Sequence, residues 1–318
     1  MSLQAIDPGP FTTIQDLGRL GYGRFGVPTS GAMDSFALWA ANLLVGNEEG
    51  AAGLEIGIGD ATLVATDDCV IAVAGAGYDL CVHGHPMPSW MSILCRRGWT
   101  LELRKRPGGC WAYVAAAGGI QCPLVLGSRA TYVRGSFGGL NGQALRGGDI
   151  LPVGVPSHSL WRLAGREIPE ANRPAYSESA TVEVIMGPQA DRFTEEGLHT
   201  FLSNEYGVSA TSDRMGYRMH GAAIEHRSTA DIVSDGMVRG SMQVPAGGEP
   251  MVIMADGPTT GGYPKIATVV SADLPLLAQC TPGVGRVRFR KTTVEAAQAR
   301  YRAMMNALRV IEPDRSEW

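Results

Sequence analysis

Short apolar runs broken by glycine, proline and small polar residues recur along most of this chain, at a spacing that suits strands better than helices. Residues 61–65, 70–74, 80–83, 100–103 and 111–115 predict a first set of strands, and residues 181–186, 222–226, 240–244, 251–255 and 266–270 a second. Helical periodicity is confined to three places. Asp34 is positioned to cap a helix over 35–45, whose Phe36, Leu38, Trp39, Leu43 and Leu44 supply an apolar face and which Gly46-Asn47 would stop. A second helix is predicted over 190–203. Thr292 and Glu295 have the spacing of a capping box ahead of a third that runs to about residue 309. The chain therefore reads as mainly β with a few peripheral helices, and its 42 glycines and 19 prolines fit a backbone that turns often.

A chain of 318 residues exceeds one ordinary core and predicts two domains. Residues 166–180, rich in Pro, Glu, Arg and Ser, read as a linker between an N-terminal β subdomain over 1–165 and a C-terminal one over 181–318 that carries the terminal helix. A similar order of motifs on the two sides suggests related subdomains. Gly9-Pro10, Gly26-Val27 and Ser30 to Asp34 precede the linker, and Gly187-Pro188, Gly207-Val208 and Ser212 to Gly216 follow it.

With 45% apolar and 18% charged residues the composition is globular, and a net charge of −4 without any basic run argues against a nucleic-acid surface. Small molecules or proteins are the expected partners. Residues 1–7 lack the features of a signal peptide and no apolar stretch approaches about 18 residues, so a soluble, cytoplasmic protein with no membrane contact is expected. The six cysteines are scattered without a C-x-x-C pair and read as reduced core residues. His83 and His85 offer two metal ligands without a third nearby, so no metal site is predicted.

Candidate chemistry concentrates in polar, glycine-punctuated segments. The stretch "ADGPTTGGYPKIA", residues 255–267, superficially suggests a phosphate-binding loop. A P-loop needs Gly-Lys-Ser/Thr leading into a helix, whereas Ile266 to Val270 reads as a strand, which makes this a strand-loop-strand element. Gly261-Gly262 would let the loop curl through backbone angles closed to other residues. Two readings remain open: an anion- or carbonyl-binding turn built from Asp256, Thr259, Thr260, Gly261, Gly262 and Tyr263, or a tight hairpin without a ligand. Lys265 is either an electrostatic partner at the loop's exit or an outward-facing strand residue. Gln15, Asp16 and Arg19, then Ser212, Asp213, Arg214 and Arg218, then Asp235 and Gln243 complete the set. Arginine beside carboxylate and hydroxyl suits recognition of a planar anion or amide-like carbonyl, although Asp16–Arg19 and Asp213–Arg214 could equally be ion pairs that hold loops. No spacing identifies a nucleophilic triad. Electrostatic stabilisation of an oxygen remains, with Asp213, Arg214, Asp235 and Thr260 as catalytic candidates and the others as substrate contacts.

Taken in order, "FTTIQDLGRLGYGRFGVPTSGAMD", "AANLLVGN", "VAAAGGI", "LGSRATY", "GPQ", "SDRMGYRM", "SDGMVRGSMQVP" and "TTGGYPKIA" resemble the C-subunit family of 5-oxoprolinase over nearly the whole chain. That family is also described as biotin-dependent carboxyltransferase, allophanate hydrolase subunit 2 and KipA. The resemblance implies two cyclophilin-like β-barrel subdomains and a partner, the KipI-like B subunit of 5-oxoprolinase. Together with a third subunit, the pair would open 5-oxoproline to glutamate at the expense of ATP. Two alternatives follow from the same resemblance: carboxyl transfer from biotin to urea or a similar amide, and non-catalytic antagonism of a KipI-like kinase inhibitor. Family members commonly place glutamine where this chain has Pro258, which leaves the substrate more open than the fold.

Overall fold

The computed structural model describes residues 1–309. The chain divides into two units, the first comprising Met1–Arg19, Ser30–Pro174 and, among the described residues, 305–309, the second Leu20–Thr29 and Ala175–Met304. The mainly β expectation holds in both.

In the first unit a six-stranded sheet runs Ile150–Pro152, Ser2–Asp7, Ala61–Ala65, Thr100–Lys105, Tyr78–Val82, His85–Met87. A five-stranded sheet runs Thr12–Gln15, Gly53–Ile56, Ala112–Ala116, Cys69–Gly75, Ser92–Cys95. The inward positions of both sheets meet in one core around Leu3, Leu54, Leu63, Ile71, Leu103 and Val114. Some strands alternate, as in Ala61–Ala65, where every second residue is buried, while Ala112–Ala116 is buried throughout and so lacks alternation. The predicted first helix forms over Ser35–Leu44, with Asp34 accepting a hydrogen bond from the Ala37 amide at 2.9 Å. It is not amphipathic: Ala37, Ala40, Ala41 and Asn42 are buried with the large residues, and Asn42 Nδ2 donates to the Ala51 carbonyl at 2.7 Å.

The second unit closes into a seven-stranded barrel in the order Ser179–Met186, Lys265–Val269, Ser241–Gln243, Met251–Ile253, Gly216–His220, Glu205–Val208, Arg286–Lys291. The last strand returns to the first through a parallel pairing of Ser179 with Arg286 through Val184 with Lys291. Along Arg286–Lys291, Val287 and Phe289 point inward and the arginines outward. Phe289 stacks on Phe201 with ring centroids 5.0 Å apart.

Three sequence expectations shift here. Residues 222–226 form no strand, because Glu225 serves a helix instead: its carbonyl accepts from the Thr194 amide at 3.1 Å and its carboxylate from the Thr194 hydroxyl at 2.8 Å. The helix expected over 190–203 is split into a short 3-10 turn, Ala190–Arg192, and Glu195–Ser203. Between them Phe193, which is buried, and Thr194 are extended, and Thr194 caps the second piece by accepting from the Gly197 amide. The third helix, Val294–Arg309, starts one residue later than the Thr292–Glu295 spacing implies, since it is the Thr293 hydroxyl that accepts from the Ala296 amide at 3.3 Å. No helix among the described residues is long and apolar enough to cross a membrane.

Candidate functional site

The polar centre of the second unit forms where the loop after Met251–Ile253 meets the segment 232–237. Thr260–Gly261 pairs antiparallel with Asp235–Gly236, and the ladder extends as Met237 N donates to Thr259 O and Ile232 N to Gly262 O, both at 2.9 Å. The loop then enters strand Lys265–Val269, as expected of a strand-loop-strand element and not of a P-loop. Lys265 opens that strand and is buried. Its Nζ donates to Asp235 Oδ2 and, at 2.9 Å, to the Gly236 carbonyl, so the residue does not face outward. The hydrogen bond from Lys265, then that from the Gly236 amide, keeps the Asp235 carboxyl below its ordinary pKa. Gln189, quoted in the "GPQ" motif but absent from the predicted site, joins this group: its Oε1 accepts from the Lys265 amide at 3.2 Å and its Nε2 donates to Asp235 Oδ2 at 3.4 Å.

Thr260 and Tyr263 are exposed, with Thr259, Gly261 and Gly262 half-buried around them. The glycines are needed here for a reason other than the one expected. Neither Gly261 nor Gly262 is among the residues with left-handed backbone; instead a Cβ on Gly261 would collide with the Gln243 side-chain amide. That buried amide donates in turn to the Tyr263 carbonyl at 3.3 Å, so Gln243 and Gly261 fix the loop by close approach.

Arg214 and Asp256, also in this unit, form a buried two-pronged pair: Nε donates to Oδ2 at 2.8 Å and Nη2 to Oδ1 at 3.1 Å. The Asp256 amide donates to the Arg214 carbonyl at 2.8 Å, which ties the start of the threonine loop to the 213–216 turn. Asp213 is exposed and accepts from the Met215 and Gly216 amides at 2.8 and 3.3 Å, shaping the turn, and the Ser212 hydroxyl accepts from the amide of exposed Arg218.

Gln15, Asp16 and Arg19 lie in the first unit and hold its backbone. Gln15 Nε2 donates to Thr131 O at 3.1 Å, and Asp16 accepts from the Gly18 amide, the Ser128 hydroxyl and the Arg129 amide at 2.7, 2.7 and 2.6 Å. Arg19 donates to the Ala130 carbonyl and lies over the Phe137 ring, 4.9 Å from its centroid. The sequence reading missed a further buried group. Tyr113 donates to Glu55 Oε2 and accepts from the Asp34 amide, both at 2.7 Å, and Glu55 Oε2 also accepts from the Met33 amide at 2.6 Å. Burial, followed by the charge of Glu55, pushes the Tyr113 phenol well above its ordinary pKa. A carboxylate inside the apolar run "GLEIGIG" was the available signal.

Among the described residues no three His, Cys, Asp or Glu side chains gather as a metal site, and His83 stacks on Trp99 with centroids 5.4 Å apart. All six cysteines are unbridged.

The second unit thus combines a closed barrel with a buried lysine paired to a carboxylate beside a loop that carries two threonines. The chain belongs to the carboxyltransferase domain family, subdomain A and B, whose model matches residues 25–291. It is 35% identical to the C subunit of 5-oxoprolinase from Escherichia coli over 93% of each chain, in keeping with the resemblance read from the motifs. It is 34% identical to the urea amidolyase of Saccharomyces cerevisiae over 92% of this chain but 17% of that one. The crystal structure of Kluyveromyces lactis urea carboxylase superposes with a TM-score of 0.91 at 30% identity, over 98% of this chain and 29% of that one.

Proposed function

We propose that this chain is the C subunit of an ATP-dependent 5-oxoprolinase, which opens the lactam of 5-oxoproline to glutamate in the cytoplasm together with a KipI-like B subunit and a third subunit, and that it is inactive alone. The observation that carries this reading is the end-to-end match to the 5-oxoprolinase C subunit, 93% of both chains, whereas the urea amidolyase is matched over 17% of its length. ATP supplies the driving force within the complex.

In this reading the lactam carbonyl lies against the 259–263 loop. The Thr260 hydroxyl, on the exposed side of the ribbon, donates to the oxygen as negative charge develops on it, with the Lys265–Asp235 pair alongside. Asp235, held ionised by Lys265, accepts hydrogen bonds at neutral pH and is a poor proton donor there. Gln189 and Gln243 hold these groups in register, and Arg214 with Asp256 positions the loop that carries the threonines.

The chain should be purified alone and with its partner subunits, and glutamate release from 5-oxoproline measured with and without ATP. ATP-dependent turnover by the complex only is expected. No turnover by the complex refutes the activity, and turnover by the single chain refutes the dependence on partners. The TM-score of 0.91 to urea carboxylase favours one second reading, carboxyl transfer to urea or a similar amide with a separate biotinylated carrier. Carrier-dependent carboxylation of urea, with no glutamate formed from 5-oxoproline, would establish it instead.

A further inference from the structure

Beside Lys265, in the second unit, lies an open pocket of about 620 Å³ lined by Gln189, Arg192, Asp231, Ile232, Ser234 and Asp235. We infer that this pocket is a subsite for a small molecule carrying a carboxylate next to a lactam or amide, with Arg192 as the residue that selects for the carboxylate. The identity of the ligand as 5-oxoproline rests on the function proposed above; the chemistry of the pocket does not.

Gln189 and Arg192 stand at the two ends of the 3-10 turn Ala190–Arg192, a geometry that brings residues three apart onto one side. That turn is fixed from behind, since Arg227 donates from its amide to the Arg192 carbonyl and from Nε to the Phe193 carbonyl, each at 2.8 Å. Among the described residues the exposed Arg192 guanidinium makes no ion pair and no side-chain hydrogen bond. Its planar fork remains available for a planar anion. Gln189 is oriented by its bonds to the Lys265 amide and to Asp235, and its amide has two N–H donors, of which only one has a protein partner, at 3.4 Å. Asp235 is exposed and already balanced by Lys265, so its lone pairs can accept from a ligand N–H without an uncompensated charge.

The three groups form a donor-acceptor pattern. The Gln189 N–H suits a carbonyl oxygen, the Asp235 carboxylate suits a ring or amide N–H, and the Arg192 fork suits a carboxylate. A cyclic amide bearing a carboxylate satisfies all three, while urea or an unsubstituted lactam leaves Arg192 without a partner. Asp231 is the remaining charge on the wall and acts against an anionic ligand.

The test is a titration of the full chain, and of its reconstituted complex, with 5-oxoproline and with 2-pyrrolidinone, the same lactam without the carboxylate, read by calorimetry or ligand-observed NMR. The wild type should prefer 5-oxoproline several-fold, the worth of a charge-assisted contact at an exposed arginine. Arg192→Gln should abolish that preference by weakening 5-oxoproline alone, Arg192→Lys should keep part of it, and Asp231→Asn should tighten 5-oxoproline without affecting 2-pyrrolidinone. The inference is overturned if Arg192→Gln keeps the preference, or if neither preparation of the wild type distinguishes the two ligands. Selective binding without ATP-dependent turnover would leave the subsite standing and remove the oxoprolinase reading. Turnover that is indifferent to Arg192→Gln would do the reverse.

Discussion

The pair Arg214–Asp256 offers the sharpest way to separate a structural ion pair from a substrate contact. Both side chains are almost wholly withdrawn from water, with 6% and 9% exposure, and both prongs of the fork are engaged. Removing one partner strands the other charge in a poorly solvated site, which typically costs about 3–5 kcal/mol. Asp256→Asn should therefore lower the melting temperature by roughly 10 °C or more for a unit of this size. Arg214→Lys keeps the charge but cannot span both carboxylate oxygens, and a loss of about 1–2 kcal/mol is expected from one missing charged hydrogen bond. Replacing both at once, Arg214→Met with Asp256→Leu, removes both desolvation penalties and should recover most of the stability lost by the single variants. Melting curves and urea denaturation read the stability, and turnover of the reconstituted complex reads the function. If the pair only positions the threonine loop, the double variant should regain activity along with stability. A stable but inactive double variant would mean that Arg214 touches the substrate. Single variants that melt like the wild type would refute the premise that the pair is buried and mutually required.

Four further outcomes are expected. Thr260→Val should leave the melting temperature unchanged, while loss of a donor to the developing oxyanion lowers turnover by on the order of 10²–10³-fold; unchanged turnover would return the loop to the status of a plain hairpin. Tyr113→Phe removes the buried donor to Glu55 and the acceptor for the Asp34 amide, so urea denaturation should report a loss of about 1–3 kcal/mol, and a change below about 0.5 kcal/mol would contradict the buried network. Burial raises the Asp273 carboxyl above its ordinary pKa, so its contribution to stability is present below the unfolded value and is lost as pH rises through the folded one. Asp273→Asn should thus gain on the wild type as pH rises from the ordinary carboxylate range toward neutrality, and a pH-independent difference between their urea midpoints would count against this. Burial also pushes the Cys69, Cys95 and Cys280 thiols up to about 12 and Cys122 to about 11, so iodoacetamide at about pH 8 should label these four slowly in the native protein and at least tenfold faster in guanidinium; rapid native labelling would be the contrary result.

Strands announced themselves in the sequence where they lie between clear turn formers. The run 61–65 coincides with its strand, and the 251–255 and 266–270 runs each lie within two residues of theirs. Residues 222–226 read as a strand, yet the Glu225 carbonyl and carboxylate are committed to Thr194, a partner about thirty positions earlier that no local pattern specifies. Conversely, "RVRFRK" over 286–291 alternates cleanly, yet with two apolar residues among four charges, Val287 and Phe289, it contains no apolar run. The first helix forms where its periodicity and its Asp34 cap place it, but its burial is wider than its stripe implies. Its apolar stripe is real, but alanines fill the remaining faces, and alanine is compatible with either burial or exposure.

Candidate site residues were legible as residue types and illegible as pairs. Arginine next to aspartate in "SDRMG" invited a local ion pair, whereas the two-pronged partner of Arg214 lies 42 positions away. Lys265 followed the same logic. A lysine at an inward position of a barrel strand requires an acidic partner, and the sequence contains several that could meet that requirement. What selects Asp235 is the register of a two-residue ribbon, Asp235 opposite Gly261 and Gly236 opposite Thr260, which sets the carboxylate over the strand that begins at Lys265. The ribbon exists because the main chain of 259–262 finds its hydrogen-bond partners in 232–237, and the Gln243 amide admits only glycine at 261. The same hydrogen bonds that close this edge of the second unit therefore bring the backbone of the threonine loop beside the paired lysine and the Gln189 amide. A substitution that shifts the ribbon by one residue would turn Asp235 to the opposite face and dismantle the site without altering any of its side chains.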